Sequence, residues 1–200
     1  MNRKLFVSAA VILILAGCGS DGSAQDTTAD VAAIQAAINS GQRLEDARAR
    51  DAGRKPLEIL TLSGIRIGDH VIELGSFGQY YSALLSTIVG PNGKLDMFDP
   101  TFVDFGAAAA RTFVSDRPNT EYYLVDYAEA DFPSDVDIVF NVLFYHDLMS
   151  GGIDTAALNA KVFEALKPGG SYLIVDHKAE GGSGWRDAGT LHRIDPETII

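Results

Sequence analysis

Asp69-His-Val-Ile-Glu-Leu-Gly-Ser-Phe-Gly-Gln-Tyr80 is the stretch on which the reading of the fold turns. Val71, Ile72 and Leu74 mark residues 70–74 as a short buried strand, Gly75 and Gly78 break it with a tight turn, and an apolar run from Tyr80 to Val89 resumes as a helix. A strand that feeds a helix through so short a turn aims the helix's free NH groups, and the positive end of its dipole, into the crevice above the sheet. In open α/β sheets that crevice is where ligands bind.

Downstream of this stretch, strands and helices alternate. Gly90-Pro-Asn-Gly93 is a turn leading into a second strand, 94–98, that ends on Asp99. Residues 100–114 read as a helix whose small-residue face is Ala107 to Ala110. A third strand, 121–125, ends on Asp126, and a fourth, 136–144, is apolar throughout, as a strand covered on both faces is. Residues 155–166 form a helix with Ala156, Leu158, Val162, Phe163 and Leu166 inward, and Lys167-Pro-Gly-Gly170 turns into a fifth strand, 171–175. Strands separated by crossover helices make an α/β fold with a doubly wound, mainly parallel sheet and right-handed connections.

Upstream, Val31, Ile34 and Ile38 recur at helical spacing behind Asp30 as a cap. Residues 44–53 carry alternating charges and read as a solvated helix face, and Pro56 opens a further helix closed by Gly64. Residues 30–64 are thus a helical N-terminal segment and 65–200 the sheet domain. Ahead of both, Arg3 and Lys4 precede an apolar run over 5–16, which is too short to span a bilayer comfortably and has the flanks of an export signal. Leu15-Ala-Gly-Cys18 resembles the lipobox of bacterial lipoproteins. That resemblance implies removal of residues 1–17, lipidation of Cys18, a tether over 18–29, and an exported chain anchored at a bacterial membrane, periplasmic or on the cell surface.

Cys18 is the only cysteine, so a disulfide framework is excluded. The formal charge of −11 repels phosphate backbones, which sets nucleic acid aside as a partner.

The chemistry concentrates at strand ends, four of which carry acids: Glu73, Asp99, Asp126 and Asp176. A carboxylate just past the second strand can accept from both hydroxyls of a ribose, although any one acid alone is equally a helix cap. Together these residues resemble the class I S-adenosylmethionine-dependent methyltransferases over residues 56–178. Glu73-Leu-Gly-Ser-Phe-Gly78 is similar to that family's acid and Gly-rich first motif, Asp99 to its ribose-binding acid, Asp126 to its adenine-contacting acid, and Leu166-Lys-Pro-Gly-Gly170 to a turn many members carry. The resemblance implies a Rossmann-like methyltransferase topology and S-adenosylmethionine as cofactor, held by Glu73, Gly75, Gly78, Asp99, Asp126 and Tyr127. Arg54-Lys-Pro56, Tyr145-His-Asp147, Asp176-His177 and Leu191-His-Arg193 further resemble a group of predicted exported bacterial methyltransferases. The sequence departs from the family where Phe77 and Gln79 replace glycines that let a ligand approach the backbone. No stretch before Ile200 reads as the family's last two strands, so the sheet is expected to end in a bare edge.

Methyl transfer is an in-line displacement in which the enzyme positions two reactants and, for an oxygen or nitrogen acceptor, removes a proton. His146, with Asp147 beside it, is the first candidate base, and His177 the second; each histidine is equally readable as a hydrogen-bonded structural residue. His146, Asp147, Asp176 and His177 have the ligand types of a metal site, but no pair has helical i, i+4 spacing, and no metal is expected. His70 is expected at the surface, His192 and Arg193 over the pocket or in solvent, and Trp185 as a lid residue or loop packing. One of Tyr80 and Tyr81 is expected to flank the cofactor and the other to pack in the core. The reading is methyl transfer to a small-molecule acceptor, against two alternatives: a non-catalytic small-molecule-binding lipoprotein, and a nicotinamide dinucleotide-binding protein. The latter is disfavoured because Gly75-Ser-Phe-Gly78 does not fit Gly-x-Gly-x-x-Gly.

Overall fold

The computed structural model describes residues 10–16 and 29–199; Cys18 and most of the tether lie outside them. Strand β1 (Ala10–Ala16) comes first, followed by four helices, α1 (Val31–Ile38), α2 (Glu45–Arg48), α3 (Asp51–Arg54) and α4 (Pro56–Ser63). Then β2 (His70–Leu74), α5 (Tyr80–Val89), β3 (Lys94–Pro100), α6 (Ala107–Ser115) and β4 (Thr120–Val125) alternate. They are followed by β5 (Val136–Val142), α7 (Tyr145–Ser150), α8 (Thr155–Ala165), β6 (Leu166–His177) and the short α9 (Ala188–Leu191).

The sheet order is β1-β6-β5-β2-β3-β4, with β2 to β6 mutually parallel and β1 antiparallel to β6. The chain runs outward from β2 through β3 to β4, then returns to β2's other side as β5 and continues to β6. The strand order therefore reverses between β2 and β5, and a parallel sheet places its ligand crevice at such a point. Apolar residues cover both faces. One cluster joins α1, α4 and α5 to the sheet through Ile34, Leu60, Leu84 and Phe140, and the other packs α7 and α8 through Leu148, Leu158 and Val162.

Several boundaries differ from the sequence reading. The expected helix over 100–114 becomes a short 3-10 turn, Thr101–Gly106, and then α6. Strand β5 stops at Val142 because Leu143 adopts a left-handed backbone, φ +58°. On α8, Leu158, Val162 and Ala165 face inward at helical spacing, whereas Ala156 and Phe163 are exposed. The charged segment is two short helices and not one solvated face: Arg43 forks onto Asp51 with bonds of 2.8 and 2.6 Å. The edge expected to be bare is covered by β1, paired from Ala10 opposite His177 to Ala16 opposite Ser171.

Candidate functional site

The turn after β2 is built as its glycines require. Gly75 and Gly78 have φ of +77° and +82°, and Gln79, standing where the resemblance expects glycine, is also left-handed at +45°. Gly75 also lies under an aromatic ring, since a Cβ there would sit 2.3 Å from ring atoms of Phe144. Leu143's left-handed backbone precedes Phe144 and turns its chain back toward β2. Phe77 packs edge-on against Phe144 and Phe105, with ring centroids 5.6 and 6.0 Å away. Phe77 was the obstruction suspected from sequence, but the ring over Gly75 is Phe144. Its only sequence signal was an aromatic residue at the end of an apolar strand.

Glu73, Asp99 and Asp126 do lie toward the carboxyl ends of three adjacent parallel strands, β2, β3 and β4, with Asp126 just past the last. They are not equivalent. Asp99 is fully buried, and its Oδ1 accepts from the Ser76 NH at 2.6 Å and the Ser76 hydroxyl at 3.1 Å. Its Oδ2 makes no hydrogen bond of normal geometry, although the Tyr122 hydroxyl helps hold the charge. Burial raises the Asp99 pKa above the usual carboxylate value, with the Ser76 bonds opposing. Glu73 is buried within β2, accepts from the Ser82 hydroxyl at 2.5 Å, and is pushed up to about 8, by burial first and the Asp99 charge in addition, with Ser82 opposing. Asp126 is exposed and accepts from the Ala128 NH at 2.9 Å, an ordinary turn contact. Tyr127, implied as a cofactor contact, is buried, with its hydroxyl donating to the Phe98 carbonyl at 2.7 Å.

Across the switch point, the second polar group is organised by Asp176. This fully buried carboxylate accepts from the His146 backbone NH at 2.8 Å and the His177 NH at 2.7 Å, and its Oδ1 lies 2.7 Å from His146 Nδ1. An ionised carboxylate is acceptor-only, so Nδ1 carries the proton and Nε2 faces outward. Burial on its own would lower the His146 pKa, but the Asp176 hydrogen bond and the Asp176 and Asp147 charges outweigh it and hold the imidazole above its ordinary value. The orienting carboxylate is therefore Asp176 and not Asp147, which lies on the Nε2 side, with Oδ2 at 3.4 Å. His192, from the end of α9, brings Nδ1 to 3.2 Å from the same Nε2. His177 is half-buried, its pKa lowered by burial, and it stands outside this cluster.

The remaining residues singled out from sequence have structural tasks. Tyr80 donates to Asp51 at 2.6 Å and Tyr81 to the Arg54 carbonyl at 2.6 Å, so both are buried ties between α5 and the N-terminal helices. Arg43, Arg50 and Arg54 all lie 5.3 to 5.5 Å from the Tyr80 ring centre. Trp185 stacks on Tyr145 with centroids 5.9 Å apart. His70 is not a free surface residue, because its Nε2 lies 2.7 Å from the buried Asp96. A cleft of about 390 Å³ on the other side of the turn is lined by Gly78, Gln79, Leu44 and Phe113, and reaches none of the acids above.

Comparison with known proteins places this arrangement. No family description matches the sequence, and no curated protein matches it. Among solved structures, a SAM-dependent methyltransferase from Aquifex aeolicus aligns over 86% of this chain and 81% of its own, at 20% identity and a TM-score of 0.57. The Haemonchus contortus phosphoethanolamine N-methyltransferase 2, in complex with S-adenosyl-L-methionine, aligns over 73% of this chain at 22% identity and a TM-score of 0.53. This chain spans about a third of that enzyme, 34%. The fold is the Rossmann-like methyltransferase fold. At these identities the likeness is one of architecture.

Proposed function

We propose that the domain is an S-adenosylmethionine-dependent methyltransferase acting on a small-molecule acceptor, exported and held at a membrane through a lipidated Cys18. The observation that carries this reading is the pairing, on the two sides of one switch point, of a glycine turn with the half-satisfied Asp99 and a histidine clamped by Asp176. Asp99 Oδ2, a buried acceptor in want of a donor, suits a ribose hydroxyl, and the Gly75–Gly78 backbone suits close approach of the rest of the nucleoside. The space over Gly75 suits it only once the Phe144 ring, which packs edge-on against Phe77, moves aside. When bound, the sulfonium compound supplies the methyl group for an in-line displacement. His146 Nε2 takes the acceptor's proton, and Asp176 keeps the ring in the required tautomer and stabilises the imidazolium that results.

The Phe144 ring over Gly75 favours one competing reading: a relative that has filled its own cofactor space and serves as a non-catalytic lipoprotein. Titration calorimetry with S-adenosylmethionine and S-adenosylhomocysteine separates the two. The enzyme reading expects binding of both, abolished or weakened by Asp99→Ala. Silence with either compound at millimolar concentration supports the competing reading, and a response only to a nicotinamide dinucleotide replaces both.

A further inference from the structure

We propose that His146, Asp147 and His192 form a binding site for a zinc-class divalent metal ion, with a fourth coordination position left open. The donor atoms lie close together, one from each residue within 4.8 Å of the others. Nε2 of His146 lies 3.2 Å from Nδ1 of His192 and 3.4 Å from Oδ2 of Asp147, and Nδ1 of His192 lies 3.5 Å from Oδ1 of Asp147. Donors bound at about 2.0 to 2.1 Å in tetrahedral geometry are about 3.3 to 3.4 Å apart, the edge of the tetrahedron. The two ring nitrogens already stand at about that edge, and the Asp147 carboxylate turns one oxygen to each imidazole, so an ion needs only to draw one of those oxygens in. Two imidazoles and one carboxylate are donors that suit zinc and its transition-metal neighbours, whereas magnesium and calcium take oxygen ligands.

A second observation points the same way. A metal-bound histidine characteristically donates its other ring NH to a carboxylate, which fixes the tautomer and the ring's orientation. Asp176 does this to His146 at 2.7 Å, and is itself held by the His146 and His177 backbone NH groups. The buried half of the site is thus rigid. Its other half is open, because the Asp147 and His192 side chains keep 26% and 65% of their exposure, which gives an ion a way in from solvent. Sequence spacing could not disclose the triad, because His192 is 46 residues from His146 and arrives only when α9 packs on α7. Among the described residues no other group of three such side chains meets this spacing.

The site stands whether or not the domain binds a nucleoside. In the loaded protein the ion takes the Nε2 lone pair, so His146 is then a ligand and no longer a base. The open position takes water or an acceptor heteroatom, whose proton the ion makes easier to remove.

The test uses the full chain without a histidine tag, stripped with a chelator and titrated with Zn2+ against a chromophoric competitor, and in parallel with Co2+. One equivalent of zinc and the strong visible bands of four-coordinate cobalt are expected. His192→Ala, which removes a ligand from a side chain 65% exposed, should weaken zinc binding by about a hundredfold or more, at least the effect of losing an outer-shell partner, while the stripped protein still unfolds in one cooperative transition. Asp176→Asn should weaken it by about ten- to a hundredfold. Less than one equivalent of tight zinc in the wild type, or zinc binding that His192→Ala leaves intact, overturns the proposal. Calorimetry of the stripped protein with S-adenosylmethionine is scored separately, so failure of one reading does not pass to the other.

Discussion

At Gly75 two demands meet in one residue: a left-handed backbone and a ring packed where a side chain would begin. Gly78 has the same backbone requirement and open space around it. Gly78→Ala should therefore cost about 1 to 2 kcal/mol, the left-handed penalty alone. Gly75→Ala should cost about 2 to 5 kcal/mol, with overpacking against Phe144 added. Urea denaturation checks both, and measured against Phe144→Ala alone, adding Gly75→Ala should cost only the left-handed part. If the two glycine variants lose equal stability, Phe144 does not sit where the structure puts it.

Glu73 makes a prediction of opposite character. Its folded-state pKa of about 8 lies above its ordinary 4.5, so the folded protein holds this proton more tightly than the unfolded chain. The contribution is fully present below pH 4.5 and is lost as pH rises to about 8, at about 1.4 kcal/mol per unit. Glu73→Gln, with nothing to titrate, should flatten that part of the stability curve and gain on the wild type toward pH 8. Parallel wild-type and variant curves between pH 5 and 8 would mean that burial does not hold the proton on Glu73. The sequence marked Glu73, Asp99 and His146 as special because acids and histidines at strand ends are visible in one dimension. It could not show that Tyr127 turns into the core, or that Asp176 and not Asp147 holds His146, because those depend on how the turn after β4 and the helix α7 orient their side chains against the strands.

At the scale of elements, the alternation of apolar strands and helices was legible because burial on both sheet faces writes itself into composition. The ends were less so: Leu143 terminates β5 through a left-handed backbone that no leucine advertises. The N-terminal helices were misread for a related reason. Charges at 44–53 suggested solvent, whereas Asp51 among them accepts both the fork of Arg43, whose side chain is only 5% exposed, and the Tyr80 hydroxyl. Tyr80→Phe should then destabilise the domain by about 1.5 to 3 kcal/mol, the usual contribution of a hydrogen bond to a charged group, without altering the sheet. Circular dichroism with chemical denaturation reads this directly, and a loss below about 0.5 kcal/mol would show that the Tyr80 hydrogen bond adds nothing to the docking of the helices.

The whole molecule raises a question of what guards the β6 edge. Residues 10–16, read from sequence as the apolar part of an export signal, are the strand that pairs along it in this structure. The two roles conflict in time: a chain cleaved before Cys18 gives up β1, and the outward-facing amides of 171–177 lose their partners. An unpaired edge is a template for other strands, so nature tends to cover it or blunt it. Amide hydrogen exchange resolves the sequence of events. A chain beginning at residue 18 should lose protection selectively over 171–177, while β2, β3 and β5, interior to the sheet, keep theirs. Equal protection of β6 in the long and short chains would mean that β1 adds nothing to the sheet, and that five parallel strands are the complete folding unit.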